Sequence, residues 1–199
     1  LVQIGALEIH LWGSRADDVE KPDRLVFDLD PGPDVAWEQV NEAALRVRDV
    51  LDDIGLVSFV KTSGGKGLHV VAPVTRRHGW DETKAATEAV AQTISRAEPG
   101  KYVANMAKSK RHGRIFIDYL RNGRGATSVA PYSTRARHGA PVSTPIAWNE
   151  LSPKLAADAF RVDNLPARLD KLKKDPWIDF FTIRQSLTAK AMRKLGVKL

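Results

Sequence analysis

The alternation of apolar and polar positions predicts several short strands. In the run that contains Phe27 and Leu29, apolar residues occupy every second position, so one face of that strand is expected to point into a core. Similar runs rich in β-forming residues recur along the chain. The predicted strands are Leu7–Trp12, Arg24–Leu29, Leu56–Lys61, Leu68–Val74, Arg114–Leu120 and Ser128–Tyr132.

Apolar residues spaced three and four apart predict two long helices, Asp34–Ile54 and Asp81–Ala97. A short helix is predicted at Tyr102–Lys108, and beyond Trp148 the pattern is helical but interrupted by prolines, with Trp177–Leu195 as the longest piece. Strands and helices do not alternate in a regular β-α-β repeat. The pattern therefore predicts an α+β fold: a mixed or antiparallel sheet flanked by helices, in one domain over residues 1–199 whose part 145–199 is mainly helical.

Composition narrows the chemistry. The 199 residues contain no cysteine, which excludes disulfides, thiolate metal sites and a cysteine nucleophile. A metal ion would need oxygen or imidazole ligands, which favours Mg²⁺ or Mn²⁺. The net charge of +7 favours a polyanionic partner such as nucleic acid or a nucleotide. No apolar run approaches the roughly 20 residues of a membrane span, so no membrane partner is expected.

Three aspartates are candidate metal ligands. Asp28 and Asp30 lie two apart in a predicted strand, so both carboxylates share a face, and paired carboxylates are commonly neutralised by a divalent cation. The strand Arg114–Leu120 carries Asp118, the only acid between Glu98 and Glu150, among nine Lys or Arg residues from Lys101 to Arg137. An Asp-x-Asp pair alone is a weak signal, and Asp118 alone could simply neutralise an arginine. Together they predict a site for two cations.

The segment Lys61–His69 predicts an anion site. Its glycines allow backbone N–H groups to converge on an anion, while Ser63, Lys66 and His69 can add a hydroxyl, a charge and an imidazole. It is not a Walker A loop, because Gly67 follows Lys66 and a strand comes next. A glycine-rich hairpin with incidental polar residues is the structural alternative.

Two arginines and a histidine complete the candidates. Arg121 follows Asp118 by three residues, Arg135 lies in Tyr132–Arg137, and guanidinium groups suit phosphate oxygens. His10, on the strand before Asp28, is within reach of the site but could equally be structural. From these residues a nucleotidyltransferase is favoured; a Mg²⁺ nuclease and a non-catalytic nucleotide-binding or DNA-end-binding module stay open.

Six stretches in order resemble one family. They are Leu7–Trp12, Asp23–Gly32, Lys61–His69, Arg114–Asn122, Ala130–Arg137 and Asp175–Trp177. The chain is thereby identified as similar to the polymerase/primase domain of bacterial DNA ligase D, in the archaeo-eukaryotic primase superfamily. Members usually carry a further N-terminal segment that stacks on the base and grips the 5′-phosphate of a DNA end; without it, a catalytically impaired module is the alternative.

The resemblance implies roles for these residues. Asp28, Asp30 and Asp118 would be the catalytic ligands of two Mn²⁺ or Mg²⁺ ions, while Ser63 and His69 would hold the triphosphate. Arg121 and Arg135 would line the nucleotide and template site, with His10 near the sugar and metals. The implied activity is addition of NTPs or dNTPs to a primer 3′-hydroxyl in non-homologous end joining. Implied partners are a DNA primer-template or DNA end, Ku and a fused or separate ATP-dependent DNA ligase, in the bacterial cytoplasm at the nucleoid.

Overall fold

A mixed six-stranded sheet forms the centre of the molecule. The computed structural model of the chain describes residues 2–197, so the predicted domain limits, 1 and 199, lie outside the described residues. The strands are β1 (His10–Trp12), β2 (Ser14–Arg15), β3 (Asp18–Pro22), β4 (Arg24–Pro31), β5 (Phe59–Thr62), β6 (Leu68–Pro73), β7 (Tyr102–Val103), β8 (Ile115–Asp118), β9 (Thr127–Val129) and β10 (Pro145–Ile146). The helices are α1 (Trp37–Asp53), α2 (Trp80–Ala97), α3 (Leu165–Lys171) and α4 (Ala189–Lys194).

The central sheet has the strand order β10-β5-β6-β4-β8-β7. All neighbours are antiparallel except β7 and β8, which are parallel. Two ribbons, β1-β9 and β2-β3, lie outside it. The predicted α+β class with a mixed sheet and flanking helices is confirmed, and β4 occupies the middle of the sheet with its catalytic candidates near its end.

The two faces of the sheet are covered differently. On one face, α1 and α2 pack over a core that includes Phe27, Leu29 and Val70, each fully buried. The stripe predicted for α1 is on this side, and α1 is followed by Gly55 at φ 82°, where the Leu56 N–H reaches the Leu51 carbonyl at 2.9 Å. The opposite face carries a smaller aromatic cluster, and the rest of it is available for chemistry.

Several predicted elements differ from the structure. Helix α1 begins at Trp37 rather than Asp34, because Asp34 adopts φ 66°, outside the helical region. Tyr102–Val103 is a strand rather than the start of a helix, since it pairs with β8.

The long helix predicted at Trp177–Leu195 is wrong. Only Ala189–Lys194 is helical there. Within residues 145–197 the structure has α3, α4, one 3-10 turn and the short strand β10, joined by turns and irregular segments, so the prediction of a mainly helical C-terminal part is wrong. Trp177 and Phe180 instead turn onto the open sheet face, where their rings stack at 4.9 Å between centroids. Burial of the aromatic rings outweighs the weak helical preference of the segment.

Candidate nucleotide and metal site

One row of polar side chains crosses four neighbouring strands on the open face of the sheet. Asp28 lies opposite His69 on one side and opposite Asp118 on the other, and His69 lies opposite Lys61. Directly opposed residues in antiparallel strands point to the same side. The strand register therefore places a lysine, a histidine and two carboxylates side by side, from residues that are up to 90 positions apart in the chain.

Asp28 and Asp118 converge on one guanidinium. A terminal nitrogen of Arg121 lies 3.2 Å from an Asp28 oxygen and 3.1 Å from an Asp118 oxygen. Burial raises the pKa of Asp118, and the neighbouring Asp28 charge adds to this against the opposing effect of Arg121. Burial opposes ionisation of Asp28 as well, but His69, 3.3 Å away, and Arg121 lower the pKa of Asp28 well below its usual range. Asp28 is therefore a carboxylate at neutral pH.

Asp30 is on the same face, two residues nearer the end of β4. It forms an ion pair with Arg111, whose guanidinium also lies over the Phe116 ring at 4.3 Å. The Asp30 side chain is 49% exposed, so it is open to solvent on its free side. Asp28 and Asp118 thus share Arg121, while Asp30 has Arg111 as its own partner, so each predicted carboxylate already has an arginine beside it.

The donor set suits a hard divalent cation, because it consists of carboxylate oxygens on one face of the sheet. The Arg121 guanidinium lies between Asp28 and Asp118, so a positive charge is already stabilised there. Within residues 2–197, no group of three or more acidic or imidazole side chains is arranged closely enough to form a metal site as it stands. Metal binding by these residues therefore stays a prediction, and it requires Arg121 and Arg111 to give way.

The loop between β5 and β6 is organised by the Ser63 hydroxyl. The Ser63 Oγ accepts hydrogen bonds from Gly65 N at 3.1 Å and Gly67 N at 3.2 Å. A side chain at Gly67 is impossible without rearrangement, since a Cβ there would lie 1.8 Å from the Leu29 carbonyl oxygen. The glycines therefore let the loop press against the end of β4, and they leave exposed Lys66 beside the carboxylates.

The loop, the carboxylates and the arginines enclose a cavity of about 200 Å³. Its polar wall brings together most of the residues that the sequence predicts for the site. They are Asp28, Asp30, Ser63, Lys66, His69, Arg121 and Arg135, joined by Arg137. Asp118 is behind Arg121 rather than in the wall, and His10 is outside. Acid on one side and cationic or hydroxyl groups on the other match a phosphate-bearing ligand with a cation.

His10 is connected to the cavity indirectly. It lies on the separate β1-β9 ribbon, with a 40% exposed side chain, and its Nε2 is 2.6 Å from Glu8. Glu8 also pairs with Arg135 at 3.0 Å, and Arg135 donates to the Ser63 carbonyl at 2.7 Å. Burial opposes ionisation of Glu8, but these partners outweigh it and lower its pKa to about 2. In this arrangement His10 positions the arginine side of the cavity through Glu8.

Lys61 is a functional candidate that the sequence prediction left out. It is only 2% exposed, and its Nζ donates to Ser143 Oγ at 2.5 Å. Burial lowers the pKa of Lys61 to about 7, and the nearby Arg135 charge adds to this while Asp28 opposes it. Its place at the start of the Lys61–His69 motif was visible in the sequence, but its alignment with Asp28 depends on the β5-β6-β4 register.

Asn122 is a second residue that was missed. Strand β8 ends at Asp118, so the backbone of Val26 lacks a strand partner on that side. The Asn122 side chain fills the gap: its Oδ1 accepts from Val26 N at 2.8 Å, and its Nδ2 donates to Val26 O at 2.7 Å. This amide fixes the 3-10 turn that carries Arg121 beside the carboxylates.

The fold and the cavity define an α+β domain with the groups for binding a phosphorylated nucleotide. Comparison with known sequences makes the assignment specific, because the family model "LigD, primase-polymerase domain" matches residues 1–177. The chain belongs to the LigD primase-polymerase domain family. No helix among residues 2–197 has the length and apolar character needed to cross a bilayer.

Curated relatives carry the same family name. The chain is 45% identical over 196 residues to a multifunctional non-homologous end joining protein LigD of Pseudomonas aeruginosa, covering 98% of this chain and 23% of the relative. It is 30% identical over 179 residues to a bifunctional non-homologous end joining protein LigD of Bacillus subtilis, covering 88% of this chain and 29% of the relative. The chain thus spans about a quarter of the length of these relatives.

A solved structure agrees with the fold. The polymerase domain of Mycobacterium tuberculosis Ligase D, in complex with DNA, superposes with a TM-score of 0.82 at 35% sequence identity. The match covers 89% of this chain and 64% of the solved chain. The predicted family and fold are therefore confirmed.

Proposed function

We propose that this domain transfers nucleotides from NTPs or dNTPs to the 3′-hydroxyl of a primer on DNA, as the polymerase/primase part of a non-homologous end joining system. The observation that carries the proposal is the cavity where Asp28 and Asp30 face the Ser63–His69 loop, with Asp118 next to Asp28 on the neighbouring strand. A phosphate-binding wall beside paired carboxylates is what phosphoryl transfer with divalent cations requires. The similarity to non-homologous end joining proteins and to a ligase D polymerase domain in complex with DNA supports end joining and DNA as the setting.

The carboxylates Asp28, Asp30 and Asp118 would hold two Mn²⁺ or Mg²⁺ ions. When bound, such ions supply charge neutralisation for the primer hydroxyl and for the departing pyrophosphate. For this, Arg121 must leave the carboxylates, and a triphosphate bound in the same cavity would offer its oxygens as new partners. We propose that nucleotide binding provides that exchange.

The cationic wall would bind and orient the triphosphate. Lys66 and the guanidinium groups of Arg121 and Arg135 are donors at or near this wall, whereas the Gly65 and Gly67 N–H groups are held by the Ser63 hydroxyl. His69 is buried against Asp28, and burial together with the Lys61 charge lowers the pKa of His69 although Asp28 opposes this. A neutral imidazole can donate one hydrogen bond without repelling the cations beside it.

A non-catalytic nucleotide-binding or DNA-end-binding module is the second candidate. It is favoured by one observation: Arg121 and Arg111 already pair with the three carboxylates, and Lys66, Arg135 and Arg137 make the cavity basic without any ion. Ku and an ATP-dependent DNA ligase, fused or separate, are proposed partners in either case.

Primer extension with Mn²⁺ tests the proposal. Asp28→Asn keeps the size of the side chain but removes its charge, and extension is expected to fall at least about a hundredfold. The matched control is Asp34→Asn, an acid with a 74% exposed side chain on the adjoining loop, which should extend like the parent. Extension by Asp28→Asn within tenfold of the parent (about 1.4 kcal/mol) contradicts the proposal. Binding that survives EDTA without extension by the parent supports the module, and shortening of the labelled strand supports a nuclease.

A further inference from the structure

A second groove lies at the other end of the open sheet face. It encloses about 250 Å³ beside Asp23 and Pro73, where β4 begins and β6 ends. Asp23 precedes Asp28 by five residues of extended chain, which is about 16 Å. The buried Trp177–Phe180 stack covers the sheet between the two cavities. The groove is therefore separate from the nucleotide cavity but on the same face of the molecule.

Three arginines line this groove and keep donors available. Arg15 uses its Nε for Asp23 at 3.0 Å, and Arg76 uses one terminal nitrogen for both oxygens of Asp17 at 2.8 Å. Arg184 has no carboxylate partner among residues 2–197, and it donates only to the Phe181 and Ile183 carbonyls. A guanidinium has five N–H donors, so each of the three can bind an anion without losing its present contact.

An exposed aromatic ring forms the rim of the groove. Phe181 is 66% exposed, whereas its neighbour Phe180 is 4% exposed and stacks on Trp177. The two phenylalanine rings meet edge to face at 5.2 Å, which leaves a face of Phe181 open. The wall behind it is fixed, because Thr75 N donates to the Gln185 carbonyl at 2.7 Å and the Gln185 amide donates to the Pro73 carbonyl at 2.8 Å.

We infer that this groove binds a single-stranded segment of nucleic acid, with a base stacked on Phe181 and a phosphate held by Arg184 and its neighbours. An exposed ring next to guanidinium groups is the combination that binds single strands without sequence preference. The ligand carries phosphates, which matches the basic lining. The inference goes beyond the proposed nucleotide transfer, because it concerns binding at a different place and requires no catalysis.

Fluorescence anisotropy with a labelled oligodeoxynucleotide of about twelve residues tests the groove in EDTA, without nucleotide. Phe181→Ala is expected to weaken binding about tenfold, and Phe181→Leu, which keeps an apolar side chain, is expected to weaken it nearly as much. Arg184→Gln should lower the slope of log affinity against log salt by about one. Both side chains are exposed, so the folded state should be retained, which circular dichroism checks.

Arg96→Gln is the matched control for charge, since Arg96 is exposed on α2, a helix on the opposite face. The groove is supported when the Phe181 and Arg184 variants weaken binding and Arg96→Gln does not. The inference is overturned if Arg184→Gln and Arg96→Gln lose the same amount of oligonucleotide affinity. It is also overturned if the affinity of Phe181→Ala stays within twofold of the parent. Because no metal or nucleotide is present, these outcomes are independent of whether the catalytic proposal holds.

Discussion

Strand β4 shows how one short segment serves two different purposes on its two faces. Leu25, Phe27 and Leu29 point toward α1 and α2 and are at most 1% exposed. Asp28 and Asp30 point the other way, where Asp28 meets His69, Asp118 and Arg121. The comparison teaches that the period of two along a strand separates the residues that stabilise the fold from those that bind ligands. Substitutions on the two faces should therefore have different consequences.

The largest effect on stability is expected on the helix side. Phe27→Ala removes a fully buried aromatic ring from the main core and should lower the free energy of unfolding by about 3–5 kcal/mol. Urea denaturation measures this loss, with Phe27→Leu as a milder variant if Phe27→Ala does not fold. A loss below about 1 kcal/mol in Phe27→Ala would show that the ring does not support the core.

A smaller effect on stability is expected at Asn122, which bonds the backbone of β4 between its two faces. Asn122→Ala leaves the buried Val26 N–H and carbonyl without partners and should lower the free energy of unfolding by about 2 kcal/mol. Because the same amide fixes the turn that carries Arg121, nucleotide affinity should also fall. Calorimetric titration of a nucleotide triphosphate measures the second effect. Unchanged affinity in a destabilised variant would assign Asn122 a purely structural role.

The pH dependence of stability tests the polar row directly. Burial lowers the pKa of Lys61 to about 7, so between pH 7 and its ordinary value near 10.5 the unfolded chain holds a proton that the folded chain has lost. Stability contributed by this residue therefore rises with pH through that window and is lost as pH falls. Relative to Lys61→Met, the free energy of unfolding of the parent should increase by up to about 1.4 kcal/mol per pH unit.

Thermal unfolding of the parent and Lys61→Met at several pH values within this window measures the gain. Lys66→Met is the matched control, since it removes a lysine from an exposed position of the adjoining loop. If the difference in stability between the parent and Lys61→Met stays constant or falls as pH rises, Lys61 is not buried in its neutral form.

The central sheet could be predicted from sequence because its strands are marked by strong local patterns. The alternation in Arg24–Leu29 correctly assigned Phe27 to the core and Asp28 to the open face. The glycine loop was also recognisable, because few other structures tolerate so many glycines between two apolar runs. Seven of the nine predicted site residues line one cavity.

The features that could not be predicted from sequence depend on contacts between residues far apart in the chain. Arg111 is 81 residues from Asp30 and looks like an ordinary surface arginine in the sequence. The Trp177–Leu195 segment has helical spacing, but its aromatic residues pack on the sheet, which no local pattern reveals. Asn122 acts through the backbone of Val26, and its role becomes apparent only where β8 ends.

Asp118→Asn provides the most direct test of the claim that the open face is the chemical face. The amide can still accept the hydrogen bond that Leu120 N donates at 2.9 Å, so the fold should be retained, while the carboxylate charge is lost. The measurement is primer extension with Mn²⁺ at a temperature where thermal unfolding shows the variant to be folded. The account predicts at least about a hundredfold slower extension with little change in the melting temperature. Extension by the folded variant near the parent rate would contradict it.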